Sequence, residues 1–233
     1  VYPTYFTAMA STAMDPELDA QLKALRDTMP IKDEYLREMK GILAQIGLEE
    51  SYVKYLLAVA VGYEVGHLFP AAGTTGCAGL LAAMPNGTVV HGRNMDLEGF
   101  QVEVNGTTLY YPEVTVEVLH MRGGRPLFTS VQWPGGVGIH TAMRFDGGWS
   151  FEQNTRFHSA RKALNHGLDH RSVGFMLSAR KVMETTPDFE TAVKKLQALN
   201  LMAPSYFIVA GAQPWEGVVI TMDDGGGREP GTP

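Results

Sequence analysis

A single cysteine, Cys77, stands among the 233 residues of this chain. An internal disulfide is therefore excluded, and the thiol count indicates neither an oxidising nor a reducing compartment. Runs of lysine or arginine are also absent. With a formal net charge of −6 and a pI near 5.6, the chain carries no electrostatic footprint for nucleic acid, which is excluded as an expected partner. The most apolar stretch, Glu50 to about Leu68, has fewer than the roughly 18 unbroken apolar residues of a membrane span, because Lys54 and Glu64 interrupt it. It reads as a buried helix. Val1-Tyr2-Pro3 has neither the basic nor the apolar region of a signal peptide, so a processed or fragmentary start is expected. Glu64 and His67 lie three apart on the buried helix, but no second His or Cys cluster at ligand spacing accompanies them. The expectation there is a satisfied polar pair, with no metal and no cofactor.

What is present suffices for a large core: 45% of residues are hydrophobic and 19% charged, enough for one domain or two closely packed lobes. Asp15-Pro16-Glu17 starts a short amphipathic helix up to Pro30, and a second begins near Asp33 and ends at Gly47. After Thr107 the apolar period changes from helical to two. Val114, Val116 and Val118 alternate with polar neighbours, Gly123-Gly124 turns the chain, and Leu127, Thr129 and Val131 return. A further strand is expected from Pro134–Ile139 to Arg144, and Asp146-Gly147-Gly148 turns it into 149–153. Two helices follow, around Val173–Met183 and from Thr186-Pro187-Asp188 to Leu199, then two buried strands at 205–210 and 217–221. Segregated helices and antiparallel strands make the class α+β, with two stacked sheets and outer helices as a four-layer sandwich. The tail from 225 to 233 is rich in Gly and Pro and has nothing to bury.

The densest chemistry lies on one predicted hairpin. Cys77 begins a small apolar strand that turns at Asn86-Gly87, and the return strand delivers His91-Gly92-Arg93-Asn94-Met95-Asp96. Gly76 and Gly79 flank the thiol and allow close backbone approach. A cation near sulfur favours thiolate, the reactive form, while a nearby Asp can hold an ammonium. Plain alternatives exist for each feature: a lone cysteine is commonly a small buried hydrophobe, and Arg93 with Asp96 can be a surface ion pair. Asn86-Gly87-Thr88 and Asn105-Gly106-Thr107 also match glycosylation acceptors, relevant only in a secretory compartment.

The spacing from Cys77 to His91-Gly92-Arg93-Asn94-Met95-Asp96 resembles the nucleophile hairpin of the acid ceramidase and N-acylethanolamine acid amidase family. Gly62-Tyr63-Glu64 is similar to that family's A-Y-E, Ala203–Val209 to its A-P-A-Y-F-I, and Glu216–Thr221 to its E-G-V-V-I-T. The resemblance spans about Asp33 to Asp223. It implies an αββα fold of N-terminal-nucleophile type, with 1–76 a helical pro-segment and 77–224 the hydrolase core. It also implies self-cleavage between Gly76 and Cys77, which frees an α-amine able to take the thiol proton. Cys77 would be the nucleophile, Arg93 would tune the thiolate and Asp96 would anchor the amine. Asn154, Thr155 and Glu64 would contact the substrate.

The implied reaction is hydrolysis of N-acyl lipid amides through a thioester, without cofactor. The implied partners are the lipid, a peripheral membrane surface and the chain's own two fragments as an α/β heterodimer, in the lysosome or secretory pathway. Two departures point to a weak or inactive lipid-binding protein as the alternative. Asn154-Thr155-Arg156 stands where the family has N-E-R, and the family's downstream T-N-Y-D and D-D-R-R segments have no counterpart, so a further C-terminal portion is expected. A third reading, a bile-acid or penicillin amidase, uses the same chemistry on other acyl groups. Met202, Trp215 and Phe157 are candidates for lining an acyl pocket, each with a plain core alternative.

Overall fold

The computed structural model describes residues 20, 24, 31–57, 60, 77–96, 101–104, 106–156, 172 and 174–223. Apart from residues 20 and 24, the helix expected from Asp15 to Pro30 lies outside that set, as do Gly76 and the tail from 225. The helix α1, Asp33–Ile46, forms as the apolar spacing predicts, burying Tyr35, Met39 and Leu43 one turn apart. Gly47 ends it at φ 74°, a left-handed conformation that glycine adopts without strain. A 3₁₀ turn at Glu50–Tyr52 leads into helical residues 53–57, and Leu56, Leu57 and Ala60 are buried.

Strands β1, Cys77–Ala83, and β2, Val89–Met95, pair antiparallel with Cys77 opposite Met95 and Gly79 opposite Arg93. The chain turns at Asn86-Gly87 as expected, but through a three-residue loop, 85–87, between Met84 and Thr88: the Met84 N–H donates to the Thr88 carbonyl at 2.8 Å, Gly87 takes φ 88° and the Asn86 side chain accepts from the Thr88 N–H at 3.0 Å. A second hairpin joins β3, Gln101–Val104, to β4, Thr107–Tyr110. The helical turn α2, Tyr111–Val114, then interrupts the expected alternation. Pro112 sits in its first turn, where no amide hydrogen is needed, and the Glu113 carboxylate accepts from the Tyr110 N–H at 2.7 Å.

The main sheet has six strands, all antiparallel, in the order β10-β9-β8-β7-β6-β5. Its members are β5 Val116–Arg122, β6 Arg125–Gln132, β7 Thr141–Arg144, β8 Trp149–Thr155, β9 Ser205–Gly211 and β10 Gly217–Met222. The strand expected to enter from Pro134 is confined to β7. Upstream of it, Gln132 donates to the Gly136 carbonyl and the Ile139 N–H donates to the Met176 carbonyl, which pins 136–139 against a helix instead of a strand. Gly138 allows that approach, since a Cβ there would lie 2.5 Å from the Met176 Cβ.

Helices α3, Phe175–Thr185, and α4, Phe189–Gln197, cover one face of the sheet, and Asp188 caps α4 by accepting from the Thr191 N–H. Phe128, Phe151, Phe207 and Val209 meet Phe175, Met176, Met183 and Leu196 in the main core. Hairpin β1–β2 packs over β8, β9 and β10. Among the described residues, the stack therefore runs helices, six-stranded sheet, hairpin. This is the predicted α+β class, with three of the four predicted layers in view.

Helix α1 reaches the core through buried charge. Arg180 donates to both carboxylate oxygens of Glu38, at 3.0 and 2.7 Å, and its Nε donates to Glu184 at 2.9 Å. Tyr35 donates to the same Glu184, and burial raises its hydroxyl pKa. His120 lies nearby, stacked on Phe128 and bonded to Ser130 at 2.8 Å. Burial and then the Arg180 charge push the His120 pKa down to about 4. The imidazole is thus neutral when folded and binds a proton more readily when unfolded. Stability is fully present above about pH 6.5 and is lost as pH falls toward 4, by up to about 3 kcal/mol before solvent screening. In urea titrations across that range, His120→Gln is expected to flatten the slope; an unchanged slope would assign the acid loss elsewhere.

Candidate active site

The alternation of β8 divides its side chains between two environments. Trp149 and Phe151 enter the helix-side core, while Ser150, Glu152 and Asn154 meet the hairpin. Ser150 Oγ lies 2.7 Å from His91 Nδ1. With its amide turned to satisfy both neighbours, Asn154 accepts from the Gly79 N–H at 3.2 Å and donates to the Gln153 carbonyl. Glu152 is fully buried, 3.7 Å from both His91 Nε2 and Arg93 Nε. Gly79 makes room for it: a Cβ at that position would fall 1.6 Å from Glu152 Oε1 and 2.5 Å from Ile208 Cδ1. The close approach expected of this glycine is real, and what approaches is a carboxylate.

Arg93 is the hub of the site. One terminal nitrogen donates to the His140 carbonyl at 2.8 Å and to the Thr141 hydroxyl. The other donates to the Gln153 carbonyl at 3.0 Å and to Cys77 Sγ at 3.7 Å. The cation thus touches the thiol, as the spacing suggested, because Arg93 sits opposite Gly79 and Cys77 lies two residues along on the same strand. Cys77 itself is partly exposed. His140, beneath Arg93, has its pKa held well below the usual range by complete burial and then by the Arg93 charge. Tyr111, whose hydroxyl contacts Met95 Sδ, has its pKa raised by burial.

The other expected site residues are placed as follows. Asp96 lies just past the paired part of β2, exposed, with its carboxylate accepting from the Asn94 side chain at 2.6 Å. Thr155 ends β8 opposite Ser205. Neighbouring Arg156 donates to the Met222 carbonyl and to Asp223 and lies over the Tyr206 ring. Glu64, His67, Gly76, Phe157 and Asn105 lie outside the described residues. Of the pocket candidates, Met202 is buried and Trp215 is 65% exposed.

Beside Arg93 opens a cavity of about 640 Å³ bordered by His91, Glu152, Thr141, Val131 and Met143. Sequence reasoning did not single out Glu152, Ser150 or the role of His91. Their signal was the alternation Trp-Ser-Phe-Glu-Gln-Asn, which sets three polar residues on one strand face. No group of three or more His, Cys, Asp or Glu able to hold a metal occurs among the described residues.

The geometry predicts the behaviour of the thiol. Replacing Arg93 by Gln removes the cation that favours thiolate, and alkylation of Cys77 by iodoacetamide near pH 7 should slow by about tenfold. Equal rates in a folded variant would show that Arg93 has no hold on the sulfur.

No protein-family model matches the chain. Acid ceramidase of Mus musculus is 29% identical over 222 residues, covering 88% of this chain and 51% of that protein, and the Homo sapiens protein is 30% identical over 224 residues with the same coverage. N-acylethanolamine-hydrolyzing acid amidase of Rattus norvegicus is 32% identical over 160 residues, 64% of this chain and 39% of that protein. The chain therefore spans about half the length of the curated acid ceramidases it matches. Among solved structures, the Caenorhabditis elegans N-acylethanolamine-hydrolyzing acid amidase ortholog superposes with a TM-score of 0.50 at 22% identity, over 66% of this chain and 62% of that one. This likeness shows the α+β fold of N-terminal-nucleophile type. By sequence along most of its length, the chain is a relative of the acid ceramidase and N-acylethanolamine acid amidase family.

Proposed function

We propose that the chain carries the nucleophile-bearing part of a cysteine amidohydrolase acting on N-acyl lipid amides of the ceramide or N-acylethanolamine type. The contact of Arg93 with Cys77 Sγ at 3.7 Å carries this reading, and the names of the relatives supply the substrate class. In this reading the precursor cuts itself between Gly76 and Cys77, and the freed α-amine takes the thiol proton. The thiolate attacks the amide carbonyl, the C–N bond breaks, and the amine leaves with the proton the α-amine had taken. Water then hydrolyses the thioester, releasing the fatty acid and restoring the thiol.

Asp96 is proposed to hold the new amine, and Asn154 and Thr155, with Glu64, to contact the amide. Val131 and Met143, both exposed in the cavity beside Arg93, offer apolar surface to an acyl chain. N-acyl lipids partition into bilayers, so peripheral membrane contact is part of the proposal, as is a lysosomal or secretory-pathway location. After cutting, 1–76 and 77–224 would remain together as two fragments. The Arg180–Glu38–Glu184–Tyr35 cluster between α1 and α3 supports that arrangement. A second reading, a lipid-binding protein of the same fold without turnover, is favoured by Thr155 standing where the resembling family carries a carboxylate.

The test is hydrolysis of a fluorogenic long-chain N-acyl amide at acid pH. The chain should release the fluorophore, and Cys77→Ala should reduce the rate by at least about a thousandfold. Turnover that survives in the alanine variant would remove Cys77 as nucleophile, and no turnover in the parent would favour the binding protein. In the cut protein, Arg180→Ala should weaken retention of the N-terminal fragment on gel filtration, because half-buried Glu38 of α1 loses its bidentate bond to α3. Undiminished retention would place the fragment contact elsewhere.

A further inference from the structure

The buried carboxylate of the site has no part in the reaction as written above, and its surroundings are unusual. Glu152 is fully buried, and among the described residues neither of its oxygens lies within hydrogen-bond distance of a partner. A desolvated carboxylate in that condition is costly unless a nearby charge compensates it. Two candidates face it from the hairpin, His91 Nε2 and Arg93 Nε, each at 3.7 Å. Gly79 and Ile208, which also lie against it, carry no charge, and the cavity that Glu152 borders also holds Glu117 and Arg144. Among the described residues, Cys77, buried neutral His140 and buried Tyr111 also interact with the Arg93 cation.

Arg93 does not need Glu152 to stay in place. The His140 and Gln153 carbonyls and the Thr141 hydroxyl hold its two terminal nitrogens, and all three are neutral acceptors. The third nitrogen, Nε, makes none of these bonds and faces Glu152. The same guanidinium therefore presents one side to a carboxylate and the other to a thiol. Two anions, carboxylate and thiolate, compete for the field of one cation.

We propose that Glu152 is a positioning residue of the thiol centre, the buried counter-charge that sets how much of the Arg93 cation is left for the Cys77 sulfur. The inference deepens the hydrolase reading and rests on it for the purpose of the thiol, but its physical content is the coupling of three side chains. Glu152 acts only through Arg93. Removing its charge while keeping its shape leaves the guanidinium anchored and uncompensated, so the thiolate becomes the better partner. Gly79 is part of the same device, since any side chain there would displace the carboxylate.

The experiment is the rate of Cys77 alkylation by iodoacetamide in the purified chain, parent against Glu152→Gln, at about pH 6 and about pH 10. At about pH 6, below the ordinary range of a thiol, Glu152→Gln should react about tenfold faster. At about pH 10, above that range, the rates should agree. A purely structural role predicts something else: loosened packing speeds alkylation equally at both pH values, and that result, like equal rates throughout, would overturn the proposal. In the double variant Arg93→Gln/Glu152→Gln the acceleration should vanish, and its persistence would also overturn the proposal. If Glu152→Gln fails to fold, Glu152→Asp withdraws the carboxylate by one methylene. It should then give a smaller acceleration confined to low pH, and no acceleration there would count against the coupling.

Because alkylation needs no turnover, the two readings fail separately. The expected pH-dependent acceleration in a chain that hydrolyses no amide keeps Glu152's role and removes the hydrolase. Hydrolysis with no effect of Glu152 on the thiol does the reverse.

Discussion

Desolvated charge under a two-stranded hairpin is the constraint on which the rest of this structure depends. Arg93 and Glu152 are withdrawn from water between the hairpin and the main sheet, and burying either alone is costly. Each surrounding element contributes to making the arrangement tolerable. The six-stranded sheet supplies the carbonyl of Gln153 and the hydroxyl of Thr141, and the loop before β7 supplies the carbonyl of His140. The hairpin supplies a glycine where a side chain would collide with the carboxylate. The apolar core on the opposite face, centred on Phe151, Phe175 and Phe207, holds β8 rigid enough to keep these distances.

Such a centre ties the fold to chemistry through the strand period. On β8 the residues that enter the helix-side core and those that meet the hairpin alternate one by one, so a register slip of one residue would exchange them. The Cys77–Met95 register of the hairpin has the same consequence, because it is what sets Arg93 diagonal to the sulfur. Stability and function thus share a single specification. The cluster of buried Arg180, Glu184 and Tyr35 with half-buried Glu38 plays the corresponding part for α1, fixing that helix to the core by charge as well as by Met39 and Leu43.

Much of this was legible in the residues. The hairpin, its Asn86-Gly87 turn, helix α1 to its Gly47 stop, and helix α4 with its Asp188 cap follow from local rules that the structure obeys. The thiol–guanidinium contact was legible as well, since a hairpin turning at Asn86-Gly87 returns Arg93 to the start of the first strand; the register itself, set by a three-residue loop, was not. Where local reading failed, a distant partner decided. Residues 136–139 are drawn off the sheet by Met176 of α3, and Pro112 with Glu113 closes a helical turn inside an alternating stretch. Glu152 was invisible for the same reason: its meaning comes from Gly79, His91 and Arg93, all more than fifty residues away in sequence.

The central claim is that Cys77 beside Arg93 is a nucleophile awaiting release as an N-terminus. Intact mass after incubation of the full chain at acid pH tests it most directly. The account predicts two fragments whose masses place the cut between Gly76 and Cys77, with only the parent mass surviving when Cys77 is replaced by Ala. A parent chain that stays whole, or a cut at the same bond in the alanine variant, would contradict it.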